Sequence, residues 1–138
     1  MKSKYVFYLK ESVLNDIPIN APEKVYNEFK DLNNIDQESV WLLGMDSQNK
    51  TILKECVHLG GIDISIIDPK LIFRRLLVAG CIGFILIHNH PSGCTKPSSE
   101  DNIITQKINN ISNIIGLKFL DHVIIGNDYY SYANDSKL

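Results

Sequence analysis

The spacing of hydrophobic and polar residues along the chain predicts a series of short helices and strands. Apolar residues three or four positions apart, as at Val25, Phe29 and Leu32 after Pro22, indicate a helix. Short apolar runs rich in β-branched and aromatic residues, bounded by turn-forming residues, indicate strands. On this basis strands are expected at Tyr5–Lys10, Ser39–Met45, Thr51–His58, Gly83–Ile87, Phe119–Ile125 and Tyr129–Tyr132.

Two further helices have recognisable start and stop signals. Asp68 and Pro69 begin one that Gly80 ends, and Ser98 caps another that ends at Gly116. The buried face of the first is expected to hold Ile72, Leu76 and Ala79, and that of the second Ile104, Ile108, Ile111 and Ile115. The predicted order, β-α-β-β-α-β-α-β-β without repeat or linker, indicates a single mixed α/β domain with helices covering a central sheet.

Composition and charge narrow the class of protein. The chain has 138 residues, 44% of them hydrophobic and 22% charged, which is ordinary for a globular domain. A net charge of −2 and a pI near 6.0 provide no basic field for nucleic acid. Three cysteines, an odd number without a C-x-x-C pair, argue against disulfides, and no signal peptide or membrane span is evident. We therefore expect a soluble, cytoplasmic protein, whose oligomeric state the sequence does not indicate.

Two histidines follow the apolar strand at alternate positions. Residues two apart on an extended chain point to the same side, so His88 and His90 can direct both imidazoles at one point. Asp101 lies at the start of the next helix, and the intervening loop of two prolines and a glycine can fold it back towards them. Three N/O ligands with a fourth position for water are typical of a catalytic zinc site.

A hydrolytic metal site also needs a general base and groups that steady the reacting water. Glu38, immediately before a predicted strand, is the favoured base, and Ser98 can cap its helix while turning its hydroxyl towards the site. Spacing alone does not choose Glu38 over the other acids. The competing glutamates are Glu11, Glu23, Glu28, Glu55 and Glu100.

The other motifs are less informative about function. The adjacent letters His-Asn-His at 88–90 do not indicate an HNH nuclease, whose residues are dispersed through a ββα element, and a zinc deaminase would need His-x-Glu and Pro-Cys-x-x-Cys. Cys94 is interpreted as incidental, and His122 beside Asp121 as a structural hydrogen-bonding residue rather than a partner of a metal ligand. The arginine pair at 74–75 is interpreted as a solvated helix face, too small to form a basic patch.

The combination His88-x-His90, Ser98 and Asp101 with an upstream Glu resembles the signature of the JAMM (JAB/MPN) metalloenzymes. The segments 36–38, 88–93, 97–98 and 121–126 are similar to the RadC branch of that superfamily, and the similarity extends from about Ala21 to Tyr132. The resemblance implies a cytidine-deaminase-like α-β-α fold and a bound Zn²⁺.

The same resemblance implies roles for individual residues. His88, His90 and Asp101 match the metal ligands, Glu38 matches the acid that activates the bound water, and Ser98 matches the serine that steadies this water and the tetrahedral intermediate. We expect one domain over residues 1–138, without the N-terminal helix-hairpin-helix region of long RadC proteins, which weakens an inference of DNA binding.

The expected function is a zinc-dependent hydrolase acting on a peptide or isopeptide carbonyl, with a protein or peptide partner. Two alternatives stay open. One is a metal-dependent nuclease, suggested by the association of RadC with DNA repair, although the chain has no basic patch. The other is a non-catalytic interaction module that keeps zinc for stability.

Overall fold

The computed structural model describes residues 21–60 and 67–138, which form one mixed sheet with helices on both faces. The predicted strand at Tyr5–Lys10 lies outside these residues. The remaining predicted order of elements is confirmed. The elements are α1 (Pro22–Phe29), β1 (Ser39–Met45), β2 (Thr51–Leu59), α2 (Pro69–Ala79), β3 (Gly83–Asn89), α3 (Ser99–Ile115), β4 (Lys118–Ile125) and β5 (Tyr129–Ser131), with a 3₁₀ segment at Lys30–Asn34.

The five strands lie in the order β2-β1-β3-β4-β5. Only β3 and β4 pair in parallel, and α3 makes the crossover between them; the other neighbours are antiparallel. The strand β3 is therefore central, buried along its whole length and flanked by β1 and β4. The backbone at its carboxyl end is held by a neighbouring strand on each side.

Two apolar layers give the domain its α-β-α architecture, because successive residues of β3 point to opposite faces. Phe84 and Leu86 pack with buried residues of α2 and α3, whereas Ile85 and Ile87 pack with Val25 and Phe29 of α1 and the segment after it. Phe84 stacks on Phe119 with ring centroids 4.8 Å apart. The alternation assigns His88 to the α2/α3 face and Asn89 to the α1 face.

Helix ends follow the predicted signals. The Asp68 side chain accepts a hydrogen bond from the Lys70 amide at 2.9 Å, and Gly80 ends α2 with a positive φ of 75°. At the start of α3, Ser98 and Asp101 form a reciprocal capping box. Among the described residues, no helix is both long and apolar enough to cross a bilayer.

Two predictions about helix faces are wrong. Ala79 is exposed, and Phe73 is buried on α2 instead. Ile115 is 45% exposed, because the buried stripe of α3 ends at Ser112. In both helices the last three residues are exposed, so these ends extend beyond the region that the sheet covers.

Candidate metal centre

The two histidines lie at the carboxyl end of the central strand. The strand β3 continues past its predicted end at Ile87, and His88 within it is paired with Val40 of β1 and Ile124 of β4. His90 follows, its amide donating to the Ile125 carbonyl at 2.9 Å. The two imidazole rings are 4.6 Å apart between centroids. The sheet therefore fixes the backbone of His88 from both sides and that of His90 from the side of β4.

The loop after His90 depends on a glycine. Gly93 has a φ of +86°, and its amide closes a turn by donating to the His90 carbonyl at 2.9 Å. A Cβ on Gly93 would lie 2.7 Å from the Asn127 side chain, so both the backbone angle and the space favour glycine here. The turn brings the Cys94 carbonyl oxygen to 2.8 Å from His90 Nδ1. Cys94 thus contacts the site through its backbone.

Asp101 is brought to the histidines by the capping box. Its Oδ2 accepts a hydrogen bond from the Ser98 amide at 2.8 Å and lies 3.1 Å from His90 Nε2, while Oδ1 lies 3.5 Å from His88 Nε2. Ser98 Oγ in turn accepts from the Asp101 amide at 3.0 Å, which leaves the hydroxyl proton free to donate elsewhere. The Asp101 side chain is only 1% exposed.

Glu38 reaches the same point from the other side. It directly precedes β1, and its Oε1 lies 2.8 Å from His88 Nε2, with the side chain 22% exposed. Its backbone carbonyl accepts from the Gly60 amide at 2.8 Å. The other described glutamates contact different residues: Glu23 with Tyr129, Glu28 with Lys54, Glu55 with Arg75 and Glu100 with Ser99. Glu11 lies outside the described residues.

The imidazole nitrogens and carboxylates at this point are arranged to bind a cation. The Cys94 carbonyl can only accept, so His90 Nδ1 carries a proton, and a neutral His90 then directs the lone pair of Nε2 at the Asp101 carboxylate. His88 Nε2 lies between two carboxylates. Three potential ligand atoms, one from each of Glu38, His88 and His90, lie within 4.8 Å of one another. Acceptors that face each other in this way need a proton or a metal ion between them.

The carboxylates change the protonation of the cluster. Burial lowers the pKa of His90, but the hydrogen bonds with Asp101 and the Cys94 carbonyl and the nearby negative charges outweigh it and raise the pKa above its usual value. Burial raises the pKa of Asp101, but its contacts with His90, His88 and Ser98 hold it well below its usual range. Asp101 is thus ionised at neutral pH, as a metal ligand must be.

A second layer of polar residues lies behind His88. The His122 ring is 5.6 Å from the His88 ring between centroids and stacks on Tyr132 at 4.9 Å. Its Nδ1 lies 2.6 Å from Thr105 Oγ1. Burial lowers the pKa of His122 to about 3, so the ring is neutral. Asp121 contacts the His122 backbone amide rather than its ring, at 2.8 Å.

The prediction that the 74–75 pair is a solvated face is wrong for Arg75. Its Nε lies 3.0 Å from a carboxylate oxygen of Glu55, which is fully buried. Arg74 is exposed as predicted. The pair is therefore divided between a structural ion pair and the surface.

Sequence reasoning missed Asn89, which lies between the two histidines and is fully buried. Its Oδ1 accepts from the amide and the hydroxyl of Ser39, at 2.7 and 2.9 Å. Its Nδ2 donates to the carbonyls of Leu32 and Gln37, at 3.2 and 3.0 Å. The amide thereby fixes the segment that carries Glu38. The available signal was an amide residue continuing an apolar, buried strand, which needs several partners.

Comparison with known proteins identifies the family. The model of the RadC-like JAB domain matches residues 19–138. The chain belongs to the RadC-like JAB domain family. A JAB domain with a His/His/Glu cluster at this place suggests a bound metal ion.

The chain is similar to curated proteins from several bacteria. A UPF0758 protein of Haemophilus influenzae (strain Rd) is 38% identical over 133 residues, 95% of this chain and 60% of the relative. A UPF0758 protein of Finegoldia magna is 31% identical over 116 residues, 83% of this chain and 52% of the relative. One from Flavobacterium johnsoniae is 40% identical over 105 residues, 75% and 46% of the two chains. The chain spans about half to 60% of the length of these relatives.

Proposed function

We propose that this chain is a zinc-dependent hydrolase of the JAMM type that acts on a peptide or isopeptide carbonyl. The observation that carries the proposal is the convergence of two imidazole nitrogens and two carboxylates at the end of β3, with acceptors facing acceptors. A purely structural zinc site is closed by four protein ligands. Here one carboxylate is buried and fixed while the other is partly exposed, which suits a division into ligand and base.

We assign the third ligand to Asp101 and the base to Glu38. The carboxylate of Asp101 is 1% exposed and is held by the Ser98 amide, so its position is fixed before any ion binds. Glu38 is 22% exposed, on a longer side chain at the start of a strand. A general base must receive a proton from water and release it to a leaving group, which requires access and some freedom to move.

Each residue then has a defined task. A zinc ion held by His88, His90 and Asp101 would lower the pKa of its water to about 7 and polarise a carbonyl. Glu38 takes the proton of the attacking water and delivers it to the leaving amine. Ser98 directs its hydroxyl proton at the oxyanion that develops on the substrate. The substrate carbonyl must therefore lie between the Glu38 carboxylate and the start of α3.

The test combines metal content with turnover. The wild type is expected to purify with, or take up, one zinc per chain and to cleave members of a panel of peptides and isopeptide-linked substrates. Glu38→Gln is expected to keep the metal and lose turnover by a factor of at least about 10², the lower range for general base catalysis. Asp101→Ala is expected to lose both metal and turnover.

Specific outcomes would contradict the proposal. Absence of stoichiometric metal in the wild type would contradict the metal centre. Cleavage that Glu38→Gln leaves intact would contradict the role of the base. A DNA panel included in the screen tests the alternative of a nuclease. Metal-dependent cleavage of DNA without cleavage of peptides would replace the proposed peptide or isopeptide hydrolysis with phosphodiester hydrolysis.

A further inference from the structure

Two buried ring nitrogens beside the candidate metal centre lack a hydrogen-bond partner among the described residues. They are Nδ1 of His88 and Nε2 of His122, and both side chains are fully buried. A buried polar atom without a partner costs about 1–3 kcal/mol, so such atoms in a folded protein call for an explanation. The two rings are neighbours, with centroids 5.6 Å apart and planes tilted by 34°.

Thr105 determines which nitrogen of His122 carries the proton. Its hydroxyl donates to the Asp101 carbonyl at 2.6 Å, and the same oxygen lies 2.6 Å from His122 Nδ1. A hydroxyl has a single proton, so towards His122 it can only accept, and Nδ1 must be the donor. In the neutral ring the lone pair is then on Nε2, the nitrogen without a partner.

In His88 the unpartnered nitrogen is instead the one that carries the proton. Its Nε2 faces the Glu38 and Asp101 carboxylates at 2.8 and 3.5 Å, so this nitrogen is the one directed at the candidate metal position. A neutral imidazole that binds a metal through Nε2 carries its proton on Nδ1, and that proton requires an acceptor. The unpartnered Nδ1–H of His88 and the unpartnered lone pair of His122 are thus complementary.

We propose that His122 is a positioning residue for the metal ligand His88. The bond is not formed in this structure, and it would form when an ion binds His88 Nε2, with His122 Nε2 accepting from His88 Nδ1–H. The resulting relay runs from His88 through His122 and Thr105 to the carbonyl of Asp101. It joins the central strand to the first turns of α3. Because the relay fixes the tautomer and the orientation of His88, its function is to raise metal affinity. This inference rests on the proposed function, since it presumes that His88 binds the ion.

Tyr132 packs against the relay at His122. Its ring lies nearly parallel to that of His122, at 4.9 Å and 6°, and so restricts the plane in which His122 can turn. The Tyr132 hydroxyl donates to Asn102 Oδ1 at 2.7 Å and also interacts with the Thr105 side chain. A change at Tyr132 would therefore disturb the relay. The matched control is Tyr130→Phe, which removes an exposed hydroxyl that donates to Asp135 Oδ2 at 2.6 Å.

The test measures the affinity of the full chain for Zn²⁺ by chelator competition, with Co²⁺ as a spectroscopic probe. His122→Phe keeps a flat ring but removes both nitrogens, and we expect a 10- to 100-fold weaker affinity, about the cost of removing a group that orients a ligand. His122→Gln offers an oxygen acceptor near the former Nε2 and is expected to recover part of this loss. Thr105→Val is expected to weaken affinity to an intermediate degree, and Tyr130→Phe to leave it unchanged.

The tautomers provide a readout that does not depend on a variant folding. Nitrogen NMR of the zinc-loaded wild type is expected to show protons on Nδ1 of both His88 and His122. A proton on Nε2 of His122 would overturn the proposal, as would a folded His122→Phe protein whose zinc affinity is within twofold of the wild type. A wild type that binds no zinc at His88 would instead refute the proposed function itself, so the two failures are distinguishable.

Discussion

Asn89 anchors the segment that leads to Glu38, and replacing it with alanine tests whether this clamp is as strong as its geometry indicates. Asn89→Ala keeps the backbone pairing of β3 but removes four hydrogen bonds. Two of them hold Ser39, at 2.7 and 2.9 Å, and two hold the carbonyls of Leu32 and Gln37, at 3.2 and 3.0 Å. The segment 32–39 would then be tied to the sheet only through its flanking elements.

The expected loss of stability depends on which former partners of Asn89 can form a hydrogen bond with water instead. Ser39 is 2% exposed, so its amide would be left buried without an acceptor, at a cost of about 1–3 kcal/mol. The Leu32 carbonyl keeps the hydrogen bond that it accepts from the Ile35 amide at 3.2 Å. Gln37 is exposed, and its carbonyl can be rehydrated. With a small cavity added, we expect a loss of about 2–4 kcal/mol in the free energy of unfolding. For a chain of this length that is a fall of about 6–12 °C in Tm.

The measurement is urea unfolding followed by circular dichroism and by the fluorescence of Trp41. The Trp41 indole donates to Ser39 Oγ at 3.1 Å, so it also reports on the local segment. Asn113→Ala, on the exposed side of α3, is the control and is expected to change stability by less than about 0.5 kcal/mol. Asn89→Asp keeps an acceptor for Ser39 but directs a carboxylate at two carbonyl oxygens, so it should not rescue the loss.

The result that would refute the reasoning is a small effect. A loss below about 1 kcal/mol in Asn89→Ala, with an unchanged denaturant slope, would mean that water or a rearranged segment replaces the amide. In that case Glu38 would owe its position to the Gly60 contact and to the pairing of β1.

Three further predictions concern metal binding, a buried acid and a close backbone contact. Zn²⁺ at one hundred times its Kd is expected to stabilise the wild type by about 2.7 kcal/mol and His88→Ala not at all; equal shifts in calorimetric melting would contradict the site. Burial raises the pKa of Asp121, although its hydrogen bonds lower it. The wild type should therefore lose stability relative to Asp121→Asn as the pH rises from about 3.9, the pKa of the unfolded carboxyl, through the folded pKa. Melting curves between about pH 3.5 and pH 7 check this sign, and a difference that does not vary with pH would refute it. A Cβ at Gly44 would collide with Cys81 Sγ, so Gly44→Ala is expected to cost about 1–3 kcal/mol by urea unfolding and to recover part of it when combined with Cys81→Ala; an additive cycle would contradict the collision.

Most elements of the described fold could be predicted from local patterns, because their signals are local. Short apolar runs defined the strands, and caps such as Asp68 and Ser98 defined the helix starts to within a residue. The strand β3 was predicted to end at Ile87 because His88 and Asn89 are polar. Pairing with β1 and β4 carries the strand through both residues, a tertiary effect that hydrophobic periodicity does not contain.

The errors in the helices have a similar origin. Periodicity assigned Ala79 and Ile115 to buried faces, but a helical stripe is buried only where another element covers it. The last three residues of α2 and of α3 are exposed, so the apolar pattern continues where the packing has ended. Helix length relative to the sheet is a property of the assembled fold and is absent from the local sequence.

In the candidate site, too, the features with a local sequence signal could be predicted and those that depend on distant residues could not. The closeness of His88 and His90 follows from strand alternation, whereas the choice of Glu38 among the acids came from a family resemblance, since residues fifty positions apart have no local signal. Asn89 was missed because its four partners are main-chain and hydroxyl groups of a distant segment. Thr105 was missed because a threonine within a helix usually has only a local role.

The start of α3 is what joins these parts into one centre. Asp101 satisfies the capping box with the same Oδ2 that faces His90, so the bond that begins the helix also aims the carboxylate. The positive end of the helix dipole favours the ionised form of that carboxylate. One turn later, Thr105 binds the Asp101 carbonyl and His122 together. Because the cap, the ligand candidate and the residue behind His88 share one helical segment, a shift of α3 relative to β3 would disturb all of them at once, and the geometry of the site is as rigid as that packing.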